Sequence, residues 1–281
     1  MTGFSASDAA LEGFQVIRAQ WRLVVGWVGF NLLAVLAMVI IIVILGVIVV
    51  MVAGGDSSVL GATIGGPVVT VGTVIIQLMI ATAVLRLMLR PEDRGFLYLR
   101  VSADEVRIVA ACAIVVLGLV ALALGAVAVA RIVRPVAGGG SVVVGVIALA
   151  IGYWLCMRLG LVLPMCVIER RIDFAKSWRL TRSNAWSLTG MTLLAGTLGL
   201  LVSVLVWGLF FLLTLAVVGF QELGNLAGPE GFQRHPGLFL LQAIAPFLLG
   251  PFAIVIGWAP WAAAYKALSG PANQLENPPR S

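Results

Sequence analysis

A stretch rich in arginine and tryptophan, between residues 169 and 188, holds the side chains best suited to binding a ligand. Guanidinium groups bind phosphate oxygens through paired hydrogen bonds, and indole rings favour the boundary between water and an apolar phase. If residues 173–188 form a surface helix, Phe174 and Trp178 lie one turn apart, which separates an aromatic edge from a basic edge. The candidate interface residues are Arg170, Arg171, Lys176, Trp178, Arg179, Arg182 and Trp186. The alternative is that they only anchor and orient the chain.

Polar side chains inside otherwise apolar stretches form a second group of candidates. Thr70, Thr73 and Gln77 recur at helical spacing and share one helix face, so they could line a polar path for a solute. The alternative is hydrogen bonding between helices, which contributes about 0.6–2 kcal/mol for each bond. Further polar residues in such stretches are Asn31, Thr82, Ser203, Thr214 and Gln242.

The last apolar stretch contains Pro246, Gly250 and Pro251, followed by Pro260. Each interior proline removes a backbone donor and crowds the preceding turn, so we expect the helix to kink or break near Gly250. Broken helices expose carbonyl groups that transporters use to hold ligands. Kinks are also common packing devices in membrane helices, and this is the alternative.

Catalytic chemistry finds no support in the sequence. His235 is the single histidine and has no second metal-ligating residue beside it. No Gly-x-Ser-x-Gly elbow and no glycine-rich phosphate-binding motif occurs. Cys112, Cys156 and Cys166 all lie in apolar stretches, where small buried thiols are ordinary and a disulfide framework is not expected. We therefore expect no catalytic residue, no metal and no cofactor, and we predict that the protein is not an enzyme.

The composition indicates which elements must position these candidates. Hydrophobic residues make up 61% of the 281 positions and charged residues 11%, whereas soluble domains are near half apolar and a quarter charged. Most of the surface must therefore face lipid. The net charge of +6 does not indicate nucleic acid, because the basic residues border apolar stretches, and an anionic lipid surface is the nearer partner.

Six stretches are long enough to cross a membrane, which takes about 20 apolar residues. They predict one all-α polytopic transmembrane helix bundle over residues 1–281. The first is about twice the length of a signal-peptide core, so we expect the N-terminal segment to be retained. The predicted spans are 23–53, 67–89, 106–133, 142–168, 188–219 and 238–265.

Basic residues are distributed unevenly among the gaps between the spans. Of the 18 Lys and Arg residues, only Arg131, Arg134 and Arg234 lie by the gaps that follow spans one, three and five. The others lie in the N-terminal segment, in or beside the remaining two gaps, and in the C-terminal tail; Arg158, at the end of the fourth span, is counted with them. Because basic loops stay in the cytoplasm, we expect a multi-pass protein of the bacterial inner (plasma) membrane with both termini cytoplasmic. The gaps 54–66, 134–141 and 221–237 would then lie outside.

Short amphipathic helices are predicted at the cytoplasmic interface. In the N-terminal segment, Ser7 or Asp8 can cap a helix that carries Leu11 and Phe14 on one face. The surface helix at residues 173–188 is the second of these elements. A capping box formed by Ser102 and Glu105 starts the third span.

Several motifs resemble those of one bacterial group. These motifs are Leu163-Pro164, Glu169-Arg170-Arg171, the run from Ser177 to Trp186, and Leu11-Glu12-Gly13-Phe14. The chain resembles the six-span membrane proteins related to the membrane domain of glycerophosphodiester phosphodiesterases. This resemblance implies the same helical membrane fold. It implies no enzyme activity, because the phosphodiesterase domain is not in this sequence and no catalytic residue of the family maps onto it.

The function hypothesis is a non-enzymatic membrane component whose basic, tryptophan-bearing segment engages anionic lipid headgroups or a membrane partner. The alternative is a transporter or permease-like protein for a small or lipidic solute that passes the kinked sixth span. The expected partners are membrane lipids, with a membrane protein or a second copy of the chain as a further candidate, and no nucleic acid.

Overall fold

The computed structural model describes residues 5–53, 66–92, 95–99, 103–133, 140–182, 184–219 and 233–276, and it contains no strand among them. The predicted outer gaps lie wholly or largely outside these residues, as does Ser102. A short 3-10 turn occupies Phe96–Tyr98. The helices are α1 (Ala6–Ala19), α2 (Trp21–Ala53), α3 (Gly66–Leu89), α4 (Ala103–Val133), α5 (Gly140–Leu159), α6 (Val162–Ile168), α7 (Phe174–Arg182), α8 (Ala185–Val218) and α9 (Pro236–Glu276).

Six helical segments in the described part of the chain are long and apolar enough to cross a membrane. They are α2, α3, α4, α5 with α6, α8 and α9, and they start within three residues of the predicted spans. Their outward-facing side chains are largely Val, Leu and Ile. Such a surface cannot be left in water, and it suits lipid. The all-α, six-span fold is therefore confirmed, and the chain is a multi-pass integral membrane protein.

The fourth predicted span differs from the structure, because it is two helices instead of one. α5 ends at Leu159 and α6 begins at Val162. Pro164 accounts for the interruption, since it has no N–H to donate to the carbonyl of Gly160, four residues earlier. The Trp261 indole ring occupies the space that a Cβ on Gly160 would need. A side chain at this turn would therefore displace Trp261.

The last span is not broken, which corrects one half of the expectation, while a kink near Gly250 stays a prediction. α9 continues without interruption through Pro246, Gly250 and Pro251. Pro251 has no N–H to donate to the carbonyl of Phe247, but the side-chain amide of Asn31 donates to that oxygen at 2.6 Å. A donor from another helix thus replaces the missing one, and the helix persists.

The helix starts follow from local capping. The N–H of Asp8 donates to Ser5 Oγ at 3.4 Å, so Ser5 caps α1, and the predicted caps Ser7 and Asp8 lie inside the helix. The N–H of Lys176 donates to Asp173 Oδ1 at 2.8 Å, so Asp173 caps α7. At the other end of a helix, Gly219 has a φ of +80° and follows the last residue of α8, a conformation that glycine adopts without strain.

The chain divides into two compact units. The first comprises Met1–Glu12, Thr82–Leu193 and Trp258–Ser281, and the second comprises Gly13–Ala81 and Leu194–Gly257. Fully buried side chains of the first unit are Leu85, Ile108, Leu161, Met165, Leu188 and Met191. Those of the second unit are Val24, Trp27, Ile80 and Val255.

Candidate functional site

Within the first unit, a serine hydroxyl links helix α7 to the end of α5. Ser177 and Thr181 are its buried residues, and Ser177 Oγ donates to the carbonyl of Arg158 at 2.8 Å. Thr181 Oγ1 donates back to the carbonyl of Ser177 at 2.9 Å. The inward face of α7 is therefore polar and small, so its long basic and aromatic side chains are left on the outside.

Most of the predicted interface residues are indeed on the surface. Arg170, Arg171, Arg179 and Arg182 are exposed, and Trp178 and Trp186 have exposed fractions of 37% and 89%. Trp186 lies in the first turn of α8, so the predicted surface helix over 173–188 is two helices joined near Asn184. We call Arg170, Arg171, Trp178, Arg179, Arg182 and Trp186 the basic belt.

Lys176 does not belong to the basic belt, although the sequence placed it there. Its Nζ lies 2.8 Å from Glu169 Oε1, and its side chain is largely covered. Glu169 also lies 3.3 Å from Arg171 Nε and accepts a hydrogen bond from Tyr265 Oη at 3.0 Å. Burial raises the pKa of Glu169, but the hydrogen bonds from Lys176 and Tyr265 and the charge of Lys176 outweigh it, so the pKa is lowered. The charge of Lys176 is thus neutralised within the protein.

A second ion-pair cluster joins α3 to α4. Arg86 is 5% exposed, and its guanidinium lies 2.7 Å from Glu105 Oε1 and 3.4 Å from Asp104 Oδ2. Arg107 is 2.8 Å from Asp104 Oδ1. Sequence reasoning missed this cluster, because it counted the arginines as orientation signals and Glu105 as a capping residue. The adjacent acids Asp104-Glu105, facing the arginines of the preceding span across a short gap, are the signal that could have found it.

Arg158 has the most unusual surroundings of any basic residue in the described part of the chain. Its Cζ lies 5.2 Å from the Trp154 ring centroid and 5.3 Å from that of Trp178. The two rings are perpendicular to each other, with centroids 5.0 Å apart. Among the described residues, its buried Nε and Nη1 atoms have no hydrogen-bond partner. Sequence reasoning used Arg158 only as one more positive charge.

Of the three residues predicted to line a polar path, only Gln77 lies near the proline region of the last span. Thr70 is exposed and donates to the carbonyl of Gly66 in its own helix, and Thr73 is half-buried. Gln77 does approach the proline region: a Cβ built on Gly250 would lie 3.4 Å from Gln77 Nε2 and 3.7 Å from Asn31 Nδ2. The structure therefore brings Gln77 together with Gly250 and adds Asn31, which is 1% exposed.

An apolar cavity of about 310 Å³ lies in the first unit. Its lining comes from α4, α5, α6, α8 and α9 and includes Cys112, Val115, Met157, Leu163, Trp258 and Trp261. The volume lies within the range of small-ligand pockets. Nothing in the lining is charged, so an occupant of this cavity would be apolar.

The fold and these clusters define the class as a helical multi-pass membrane protein. No protein-family model, no curated protein and no solved structure matches the chain. The relation to the membrane domain of glycerophosphodiester phosphodiesterases therefore stays a prediction.

Proposed function

We propose that this protein is a non-enzymatic component of the bacterial inner membrane, with both termini in the cytoplasm, whose basic belt binds anionic lipid headgroups. Kinship with the six-span proteins named above is part of the proposal. The observation that supports it most is that Arg170, Arg179 and Arg182 present unbalanced positive charge on the surface. All three are exposed, and none has an acidic partner in the described part of the chain.

The contrast with other basic side chains of the same unit supports this interpretation. Arg86, Arg107 and Lys176 have carboxylate partners within 3.4 Å, so their charge is already balanced. Arg170, Arg179 and Arg182 have no such partner among the described residues, and they lie in the same segment as the exposed Trp178 and Trp186. Each basic side chain near an anionic membrane surface adds about 1 kcal/mol of attraction, and this attraction is screened by salt.

Binding of anionic lipid by the purified full chain tests the proposal. Native mass spectrometry would count the lipids bound when the protein in neutral detergent is titrated with dioleoyl phosphatidylglycerol or dioleoyl phosphatidylcholine. We expect Arg179→Gln with Arg182→Gln to weaken phosphatidylglycerol binding by about tenfold. Phosphatidylcholine binding should not change, because that lipid has no net charge.

A double variant elsewhere provides the control. Arg131→Gln with Lys266→Gln removes the same charge from two other exposed positions and should leave phosphatidylglycerol binding within about twofold of the wild type. An equal loss of phosphatidylglycerol binding in the two double variants would show that only the total charge matters, and not the position of the belt. Unchanged binding in the belt variant would leave only an anchoring role.

The transporter alternative stays a prediction without an observation in its favour. Its best location is the region of Gly250, where a free carbonyl could have held a solute. In the structure that carbonyl, on Phe247, already accepts a hydrogen bond from Asn31.

A further inference from the structure

We infer that Arg158, Trp154 and Trp178 form a binding site for the phosphate group of one phospholipid. The inference deepens the proposed function and rests on it in one respect, namely that this end of α5 lies at headgroup depth. The site differs from the basic belt in chemistry, because it depends on a single arginine that lies against two rings and not on accumulated surface charge.

The charge on Arg158 requires a partner that the described residues do not supply. Its guanidinium forms neither an ion pair nor a hydrogen bond with them, and two of its three nitrogens are enclosed. The tryptophan rings attract the cation, but a ring offers no lone pair of the kind that an N–H group seeks. A partly buried guanidinium without a counter-charge is unfavourable, and an anion that bonds to it balances the charge.

The surrounding contacts hold Arg158 ready for such an anion. The carbonyl of Arg158 accepts the hydroxyl of Ser177 at 2.8 Å, which ties the last turn of α5 to α7. The same tie places Trp178 at 5.0 Å from Trp154, with the guanidinium next to both rings. Nε and Nη1 are enclosed, so the anion approaches through the third nitrogen, Nη2. A site already in its binding geometry loses little entropy when the ligand arrives.

Phosphate on a lipid is the anion that best fits this place. A guanidinium N–H forms a short, strong hydrogen bond with a charged phosphate oxygen. Trp154 and Trp178 are 45% and 37% exposed, so the cluster opens outward from the helix bundle. The cavity of about 310 Å³ is bordered by Met157 and Leu159, the two sequence neighbours of Arg158 in the same turn of α5. An apolar cavity next to a phosphate-binding turn suits an acyl chain.

Titration of the full chain in detergent with matched lipids tests the inference. The probes are dioleoyl phosphatidic acid, dioleoylglycerol, which has the same chains and no phosphate, and inorganic phosphate. We expect one tight adduct with phosphatidic acid in native mass spectrometry. Arg158→Gln and Arg158→Lys should each weaken this first adduct by about tenfold or more, because glutamine removes the charge and lysine lacks the planar guanidinium that lies against the two rings. Should Arg158→Gln fail to fold, Arg158→Lys and Trp154→Phe keep the test available.

The remaining arms separate the alternatives. Inorganic phosphate that displaces the lipid would assign the site to a free anion of the same chemistry, and failure to compete would assign it to the lipid. A first adduct that is equally tight with dioleoylglycerol, or unchanged in both Arg158 variants, would overturn the inference. The belt variant Arg179→Gln with Arg182→Gln should retain this adduct. Loss of the adduct in the Arg158 variants with an inert belt would therefore refute the belt proposal and leave the Arg158 site standing.

Discussion

The buried side-chain amide of Asn31, in the first span, stabilises the last helix by donating a hydrogen bond to its backbone. It lies 216 residues before Phe247, whose carbonyl it satisfies at 2.6 Å. Without this donor the carbonyl would be orphaned by Pro251 in an environment with no water to replace it. The polar residue in the first span is therefore explained by a proline in the last one.

Replacement of Asn31 by leucine should destabilise the protein by about 1–3 kcal/mol, because leucine keeps the branched shape but leaves the Phe247 carbonyl unsatisfied. Reversible unfolding in mixed micelles would measure the loss. Ser203→Ala is the control, since Ser203 is exposed and bonds only to Gly199 in its own helix. A loss no larger than that of the control would show that the amide bond contributes nothing to stability.

Glu169 makes stability depend on pH at the acidic end. Its pKa lies below the ordinary value of 4.5 in the folded protein, so the folded state favours the carboxylate. The stabilising contribution is complete above the unfolded pKa and is lost as pH falls through the folded pKa. The melting temperature of the wild type should therefore fall on acidification below about pH 4.5 more steeply than that of Glu169→Gln. Parallel curves for the two proteins would contradict this prediction.

At the scale of elements, the turn between α5 and α6 depends on a close fit. Gly160 faces the ring of Trp261, and Pro164 prevents the two helices from forming one. Tyr265, one turn further along α9, bonds to Glu169 just after α6 ends. The pair α5–α6 is thus held against α9 by both packing and a hydrogen bond.

Gly160→Leu should destabilise the protein by about 1–3 kcal/mol, because Trp261 must move to make room. Gly145→Leu is the control: Gly145 lies in α5, the helix that ends just before Gly160, and a Cβ there meets nothing within 4 Å. Thermal unfolding of the two variants under identical detergent conditions gives the comparison. A Gly145 variant as unstable as the Gly160 variant would show that leucine is harmful in α5 regardless of the Trp261 contact.

At the scale of the molecule, contacts within the first unit agree with successive spans that run in opposite directions. The end of α3 pairs with the start of α4 through Arg86 and Asp104, and Arg90 donates to the carbonyl of Ile168 at the end of α6 at 2.6 Å. Tyr265 adds the last part of α9 to the same cluster. Ends of even-numbered spans and the start of an odd one thus meet, as expected of helices that cross in alternate directions.

Reporter fusions at Gly139 and Ala272 would test the proposed orientation. We expect the reporter at Gly139 outside and the reporter at Ala272 in the cytoplasm, because the basic residues concentrate on the side of the tail. A fusion after Arg90 should report the same compartment as Ala272. The same compartment for Gly139 and Ala272 would contradict an even number of spans.

Local properties of the sequence were sufficient for the six helices and for most of the exposed basic belt. Helix length and apolar content decide which segments can cross a membrane, and both are read from consecutive residues. The position of Arg179, Arg182 and Trp186 on the surface follows for the same reason, since long polar and amphipathic side chains seek the interface.

Contacts between residues far apart in the chain could not be predicted from the sequence. The sequence grouped Lys176 with the belt, but in the structure Glu169 neutralises it. The sequence also predicted a break near Pro251, but Asn31 supplies the missing donor there. In the sequence Arg158 is one more positive charge, and only the fold shows that it lies against two tryptophan rings. Whether a charge or a carbonyl has a partner depends on which helices touch. That is decided by the packing of whole helices and leaves no mark in the spacing of neighbouring residues.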